Sequence, residues 1–320
     1  MSGQLELRVA TLRPAAQDIV ELTLEPLAGQ ALPAFSAGAH VDLHLPGGIV
    51  RPYSLCNDPA ERHRYVFGVL REPASRGGSR AVHENLRPGQ AIRTSAPKNN
   101  FALHGGDAPA LLLAGGIGVT PLLAMARQLA REARPYSLHY AGRTRGRMAF
   151  LPEMLAEGLL QPAGVHVDDE GSATDLRQLL AAQPPGTELY VCGPAGFMDA
   201  VDAAAQSAGW PDARLHRERF GAAPVAAVPG ADRSFEIVVA STGQVVPVPA
   251  GCTAASAMQA AGLPLYTSCE QGVCGTCLTR VLEGEPEHRD QYLTPEERAA
   301  NDQFLPCCSR ARSARLVVEL

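Results

Sequence analysis

Three of the eight cysteines in this 320-residue chain crowd into a single loop, Cys269, Cys274 and Cys277, with four residues between the first two and two between the second and third. Cys307 follows after a further twenty-nine residues. CxxxxCxxC…C is the ligand spacing of plant-type [2Fe-2S] centres. Glycine and small residues between the thiols allow a tight loop whose backbone N–H groups turn toward the cluster sulfurs and stabilise added negative charge. A structural zinc site would favour paired CxxC knuckles, and the chain supplies no second one. Spacing alone does not choose between Cys307 and its neighbour Cys308 as fourth ligand. Cys56, Cys192 and Cys252 are scattered and read as ordinary buried thiols. An iron–sulfur centre of this kind carries one electron at a time, so something must deliver electrons to it and something must take them away.

Two glycine-bearing stretches have the form of nucleotide-binding loops. Gly115-Gly116-Ile117-Gly118-Val119-Thr120-Pro121 follows a continuous apolar run and opens a helical segment. Glycines there let a phosphate approach the backbone, and the helix N-terminus offers N–H donors. The sequence is not GxGxxG, so its weight comes from its place between strand and helix. Cys192-Gly193-Pro194-Ala195-Gly196-Phe197-Met198 sits the same way, and two such loops at neighbouring strand ends outline one crevice. Earlier in the chain, Arg51-Pro52-Tyr53-Ser54-Leu55 sets a guanidinium, a phenol and a hydroxyl on one strand, with Arg51 and Tyr53 on a shared face. Arg76-Gly77-Gly78-Ser79, entering a helix, is a second candidate phosphate cradle. The plain alternative for the first stretch is a strand with an exposed tyrosine.

The elements that must hold these residues fall into three blocks. Residues 4–103 alternate with the two-residue period of half-buried strands at 4–12, 18–24, 40–45 and 64–72, separated by turn sequences, with one helix at 79–86. That pattern predicts an antiparallel β-barrel. From residue 108 the grammar changes to apolar strands at 109–114, 137–141, 164–167, 188–192 and 214–218, alternating with helices at 122–131, 148–157, 174–182 and 196–208. This is the signature of a doubly wound parallel α/β sheet. Residues 221–233, rich in Ala, Pro and Gly, read as a linker. Beyond it a hairpin at 235–248, a short helix at 253–261 and a final strand at 314–320 suggest a small α+β domain with the cysteine loop at its edge. The domain boundaries expected are 1–105, 106–222, a linker at 223–233, and 234–320.

Composition narrows the function classes. Hydrophobic residues make up 46% and charged residues 19% of the chain, and the net charge of −5 argues against nucleic acid as a partner. No signal-like segment and no apolar run long enough to span a membrane is evident, so a cytoplasmic, membrane-free location is expected. Residues 234–320 carry ten acidic side chains against six arginines, and within 283–302 seven acids face two arginines. Such a run is either a solvated face or a docking face for a basic partner. Nothing demands more than a monomer.

RPYSL at 51–55, GGIGVTP at 115–121, CGPAGFM at 192–198 and the cysteine loop from 269, in this order, resemble the phthalate dioxygenase reductase family along essentially the whole chain. The resemblance implies an FMN-binding barrel, an NADH-binding α/β domain and a C-terminal β-grasp ferredoxin domain. It implies that Arg51, Gly78 and Ser79 hold the flavin phosphate, that Tyr53 packs on the ring, that Ser54 hydrogen-bonds near the hydride-accepting nitrogen, and that Val69 and Arg71 line the flavin edge. Gly115, Gly116, Gly118 and Thr120 would take the dinucleotide phosphates. Cys192 and Gly193 would flank the nicotinamide, and Phe220 would shield the flavin until nicotinamide displaces it. Cys307-Cys308-Ser309-Arg310-Ala311 fits the family's CxSRA motif with Cys307 as ligand, so the implied set is Cys269, Cys274, Cys277 and Cys307. Cys308 departs from the aliphatic residue usual there. The function implied is an NADH-dependent reductase that feeds a separate terminal oxygenase of Rieske ring-hydroxylating or demethylating type. Rivals are an FAD-containing reductase for another acceptor such as a P450, and a redox-sensing regulatory protein. Arg143, Arg145 and Arg147 follow a strand where a 2′-phosphate would bind, so NADPH remains a rival donor.

Overall fold

In the computed structural model of the chain, residues 4–221 and 232–320 are described. The expected linker falls mostly outside them. The chain divides into two compact units, 1–219 and 220–320.

The first unit begins with six antiparallel strands: β1 (Leu5–Ala16), β2 (Ile19–Pro26), β3 (His40–Leu45), β4 (Ile49–Ser54), β5 (Tyr65–Leu70) and β6 (Ala91–Thr94), ordered β4-β3-β6-β1-β2-β5. An antiparallel bridge between Leu55 and Phe67 joins the two edges and rounds the sheet toward a barrel. Alternate side chains fill its interior, among them Leu7, Val9, Leu22, Leu24, Val41 and Phe67, as the two-residue period requires. Helix α1 (Gly78–Asn85) turns Ala81 and Val82 inward onto the same core.

Five parallel strands follow: β7 (Ala110–Gly115), β8 (Tyr136–Gly142), β9 (Val165–Val167), β10 (Glu188–Cys192) and β11 (Leu215–Glu218), in the order β11-β10-β7-β8-β9. Central β7 is buried at every position, because helices cover both of its faces. Helix α2 (Val119–Arg131) packs Leu122, Leu123, Met125 and Leu129 onto one face. Helix α5 (Ala195–Ser207) packs Met198 and Val201 onto the other. The short helices α3 (Leu151–Ala156) and α4 (Leu176–Ala181) complete the two layers.

One apolar cluster runs through both sheets of this unit, joining Ile19, Cys56, Val66 and Phe101 to Leu112, Leu122 and Phe150. At the seam, Gly68 of β5 leaves room for the Phe150 ring and the Thr120 methyl, each 2.8 Å from where a Cβ would stand. Polar ties reinforce it: Arg127 Nη1 donates to the Cys56 carbonyl at 2.8 Å, and the Gln17 N–H donates to the Gly146 carbonyl at 2.8 Å.

The second unit is a mixed sheet of β12 (Phe235–Val239), β13 (Val245–Val248), β14 (Thr279–Glu283), β16 (Gln303–Phe304) and β18 (Arg315–Glu319), ordered β13-β12-β18-β14-β16. β15 (Pro286–Glu287) and β17 (Arg310–Ala311) form a separate ribbon. Helix α6 (Ala254–Ala260) closes the core with Ala254 and Met258 against Phe235, Ile237, Val281 and Leu316. A helix laid across a small mixed sheet, as α6 is here, is the β-grasp arrangement. Thr294 and Glu297 cap helix α7 (Pro295–Ala300) reciprocally, each satisfying an orphan N–H of the other's backbone.

Candidate redox centres

The cysteine loop is shaped by residues that tolerate left-handed backbone. Glu270, Gly272 and Gly275 adopt φ of 56°, 71° and 71°, and the latter two also face close neighbours. A Cβ on Gly272 would lie 2.4 Å from Cys308 Sγ, and one on Gly275 would lie 2.4 Å from the Tyr292 ring. The tight turns bring Cys269, Cys274, Cys277 and Cys307 to one place, where Cys269 interacts with Cys274 and Cys307, and Cys307 with Cys277. Hydrogen bonds from Cys274 and Cys307, with the Gln271 and Val273 N–H groups, hold the Cys269 thiol well below its ordinary value. Cys274 and Cys307 are pushed up by the same contacts with Cys269. The Gln271 N–H stands 3.4 Å from Cys269 Sγ, as expected of a loop whose amides face sulfur. None of the eight cysteines, all of them described, is in a disulfide. Four converging thiols with inward N–H donors fit a [2Fe-2S] cluster. Cys308 lies beside them, its thiol 3.8 Å from the Leu305 carbonyl.

Arg310, four per cent exposed, braces this region from behind. Its guanidinium donates to the carbonyls of Cys252, Arg233 and Pro249 and lies 5.3 Å from the centroid of the Phe235 ring. Asp290 is equally buried and accepts from the N–H groups of Tyr292 and Leu293 at 3.2 and 2.9 Å. Much of the acidic run is likewise engaged within the unit. Glu285 pairs with Arg312 at 3.0 Å, Glu287 with Arg289 at 2.8 Å, and Glu297 serves the α7 cap.

In the first unit the two glycine loops meet at the carboxyl end of the parallel sheet, since Cys192 of β10 pairs with Ala114 of β7. Gly118 lies against the other loop so closely that a Cβ there would fall 2.3 Å from the Cys192 carbonyl oxygen. Gly193 and Gly115 both lie under the Phe197 ring, 2.7 and 2.8 Å from their would-be Cβ atoms. Gly116 has φ of 51°, a conformation glycine takes readily. Thr120 is buried and donates from Oγ1 to the Ile117 carbonyl at 3.1 Å, closing the turn into α2. These are bare backbone surfaces at a strand-to-helix turn, which suit a dinucleotide.

Along the barrel wall, Arg51 arches over the start of α1, where a Cβ on Gly78 would meet its Cγ at 2.5 Å, and its Nη2 donates to the Arg76 carbonyl at 3.3 Å. Ser79 Oγ accepts from the Glu72 N–H and donates to Ser75 Oγ at 3.0 Å. Burial pushes the Tyr53 phenol up to about 12. Ser54, buried at the end of β4, donates to Glu218 Oε2 at 3.5 Å. Val69 is buried, its carbonyl accepting from His83 Nε2 at 2.9 Å, whereas Arg71 reaches outward to Glu84 at 2.6 Å. Phe220, the first residue of the second unit, is 43% exposed.

Glu218 was not picked out by sequence motif, yet it ends β11 beside Cys192 of β10. Burial pushes its carboxyl up to about 8, against the hydrogen bond from Ser54, and pushes the Cys192 thiol well up as well. An acidic residue at the carboxyl end of a parallel strand was the available signal.

A barrel, a parallel sheet with two glycine loops at its carboxyl end and a β-grasp unit carrying four converging thiols belong to an NAD(H)-linked flavin and iron–sulfur oxidoreductase, an electron-transfer reductase of oxygenase systems. Residues 237–312 match the 2Fe-2S iron-sulfur cluster binding domain, and residues 90–215 match the dimethylamine monooxygenase subunit DmmA-like N-terminal domain. A vanillate O-demethylase oxidoreductase of Pseudomonas sp. (strain HR199 / DSM 7063) is 50% identical over 99% of this chain and 100% of its own. The solved phthalate dioxygenase reductase, a modular structure for electron transfer from pyridine nucleotides to [2Fe-2S], superposes with a TM-score of 0.78 at 35% identity, covering 99% of this chain and 98% of that one. An intact type IV self-sufficient cytochrome P450 monooxygenase gives a TM-score of 0.84 at 39% identity over 99% of this chain, which spans 41% of that longer one. The chain belongs to the phthalate dioxygenase reductase family. Among the described residues no helix is long and apolar enough to cross a membrane.

Proposed function

We propose that this chain is the NADH-dependent, FMN-containing reductase of a multicomponent oxygenase of Rieske ring-hydroxylating or demethylating type. The observation that carries the reading is the gathering of four thiols in one unit of a chain whose other unit presents a double glycine crevice beside a barrel strand bearing Arg51, Tyr53 and Ser54. The reading divides the chain into a flavin barrel (1–105), a nucleotide domain (106–222), a linker (223–233) and a ferredoxin domain (234–320).

A flavin held beside Arg51, Tyr53 and Ser54 would supply the change from two-electron hydride chemistry to one-electron release, which a [2Fe-2S] cluster held by Cys269, Cys274, Cys277 and Cys307 would need because it carries one electron at a time. This chain's residues would prepare both ends of that transfer. Arg51, Gly78 and Ser79 hold the flavin phosphate at the start of α1, and Tyr53, Val69 and Arg71 line the ring. Ser54, tethered to Glu218, presents a hydroxyl at the ring nitrogen. Gly115, Gly116, Gly118 and Thr120 seat the dinucleotide phosphates, while Cys192 and Gly193 form the wall against the nicotinamide. Phe220 covers the flavin between turnovers. Cys269, Cys274, Cys277 and Cys307 ligate the cluster.

Support for NADH over NADPH comes from the arginines after β8. Arg145 is engaged by Glu170 at 2.5 Å and Arg147 by Asp18, so two of the three cations suited to a 2′-phosphate already have carboxylate partners.

The purified protein is to be mixed anaerobically with NADH and cytochrome c. Cys274→Ser should abolish cytochrome reduction while leaving flavin reduction by NADH intact; undiminished cytochrome reduction in that variant would refute the cluster as exit port. Acid release and chromatography of the flavin distinguishes FMN from FAD. The similarity to part of a longer self-sufficient cytochrome P450 monooxygenase favours one second reading, in which a P450 rather than a Rieske protein receives the electrons. Rates with each type of acceptor separate the two. The protein is proposed to act as a monomer.

A further inference from the structure

A polar cluster lies at the opposite end of the parallel sheet from the glycine loops. Glu188 opens β10 and His216 is the second residue of β11, with Tyr190 of β10 paired to His216 in register. Glu188 Oε2 and His216 Nε2 are 2.7 Å apart. His104, in the connection between β6 and β7, brings its ring centroid to 4.2 Å from that of His216. One donor atom from each of the three residues lies within 4.8 Å of the others. Glu188 lies four residues, about 13 Å, from Cys192 along β10, and His216 two residues, about 7 Å, from Glu218 along β11 at the usual rise of a strand, so no member of this cluster belongs to either glycine loop.

We propose that His104, Glu188 and His216 bind a divalent transition-metal cation, Zn²⁺ foremost. Two imidazoles and a carboxylate form a donor set that zinc accepts, whereas Mg²⁺ and Ca²⁺ prefer all-oxygen sites. Ligands bound at about 2.0–2.1 Å in a tetrahedral site stand roughly 3.3 Å apart, so the Glu188–His216 pair, hydrogen-bonded at 2.7 Å, needs to open by only about 0.6 Å to take neighbouring positions on one ion. His104 supplies the third donor, its ligand atom within 4.8 Å of the other two.

The supports around the three donors limit their freedom. The His216 ring stacks on Tyr190 with centroids 4.6 Å apart and planes inclined by 24°. The Tyr190 hydroxyl accepts from the His104 N–H at 2.9 Å, and Arg134 Nη2 donates to the His104 carbonyl at 3.0 Å. The backbone carrying the third ligand is thus held from two sides before any ion arrives, as preorganised metal sites require. The side chains of His216 and Glu188 are 16% and 20% exposed and His104 is exposed, which leaves an entry path and room for a water as fourth ligand. Bound metal would tie the connection between the barrel and the parallel sheet to the start of β10 and β11.

The test uses the holoprotein, with flavin and cluster loaded and adventitious metal removed. Zn²⁺ is titrated in competition with a chromophoric chelator, and thermal unfolding is followed with and without the ion. The wild type should take up one Zn²⁺ per chain and unfold at a higher temperature with it. His104→Ala and His216→Ala should each weaken binding by about tenfold or more and lose the thermal shift. Their metal-free rates of NADH-driven cytochrome c reduction should match the wild type. His104 is exposed, so His104→Ala retains the fold even if His216→Ala does not. Equal stoichiometry and affinity in His104→Ala, as thiol or surface binding would give, overturns the proposal, and so does an absence of zinc uptake by the wild type.

Discussion

Replacing Gly118 by alanine tests how tightly the two glycine loops are apposed. The new Cβ would lie 2.3 Å from the Cys192 oxygen, 2.4 Å from its carbonyl carbon and 2.6 Å from the Gly193 nitrogen. All three are backbone atoms, so no side chain can swing aside. Carbon and oxygen in close contact settle at about 3.3 Å, which obliges one loop to withdraw by roughly 1 Å. The backbone at Gly118 has φ of −63°, open to any residue, so the cost is steric and not conformational. Overpacking of this degree costs about 1–3 kcal/mol. Urea unfolding should show a lower midpoint at unchanged m. Because a displacement of about 1 Å can cost on the order of 100-fold in rate, kcat/KM for NADH should fall steeply, read by stopped-flow reduction of the flavin. Gly158→Ala, beyond the end of α3, is the control. It meets nothing within 4 Å but sits at φ of 71°, so it should cost stability, about 1–2 kcal/mol, with no effect on NADH turnover. If Gly118→Ala leaves both the midpoint and the NADH kinetics within error of the wild type, the crevice is not closed by this contact and the placement of the nucleotide loops is refuted.

Glu218 makes stability depend on pH in an unusual direction. Its carboxyl titrates near 8 in the folded chain against 4.5 when free, so between those values the native state binds more protons than the unfolded one. Stability should therefore be greatest below about pH 4.5 on this account and drain away as pH rises through 8, with an upper bound of about 5 kcal/mol at 1.36 kcal/mol per unit. Glu218→Gln should flatten that slope in pH-resolved urea melts; an unchanged slope assigns it elsewhere. Arg310→Leu should destabilise the second unit by about 3–5 kcal/mol, since buried carbonyls lose their donor, and cluster loss on mild heating should follow by visible absorbance. Glu170→Ala frees Arg145 and should raise kcat/KM for NADPH several-fold with little change for NADH, measured side by side.

Residues that act through local pattern were legible, and those that act through distant contacts were not. The strands at His40–Leu45 and Glu188–Cys192 emerge with the bounds expected from alternation and apolar runs. Helix α2 begins at Val119 instead of Leu122 because Pro121 falls in its first turn, where a missing N–H costs nothing. β1 runs past Leu12 to Ala16 because register shifts absorb Pro14. β15, β16 and β17 are two residues each, too short to show a period. The glycine loops and the cysteine loop carry their geometry in their spacing. Glu218, Arg310 and the His104–Glu188–His216 group do not, since each owes its environment to segments dozens of residues away.

The apolar cluster threading from Ile19 and Val66 into Leu112 and Leu122 bears on how such reductases can be recombined. A chimaera spliced between β6 and β7 would cut through shared packing and inherit mismatched halves, so swapped flavin and nucleotide modules should arrive together. A junction after Arg219 leaves that packing whole, which makes the iron–sulfur portion the natural cassette for exchange between electron-transfer partners.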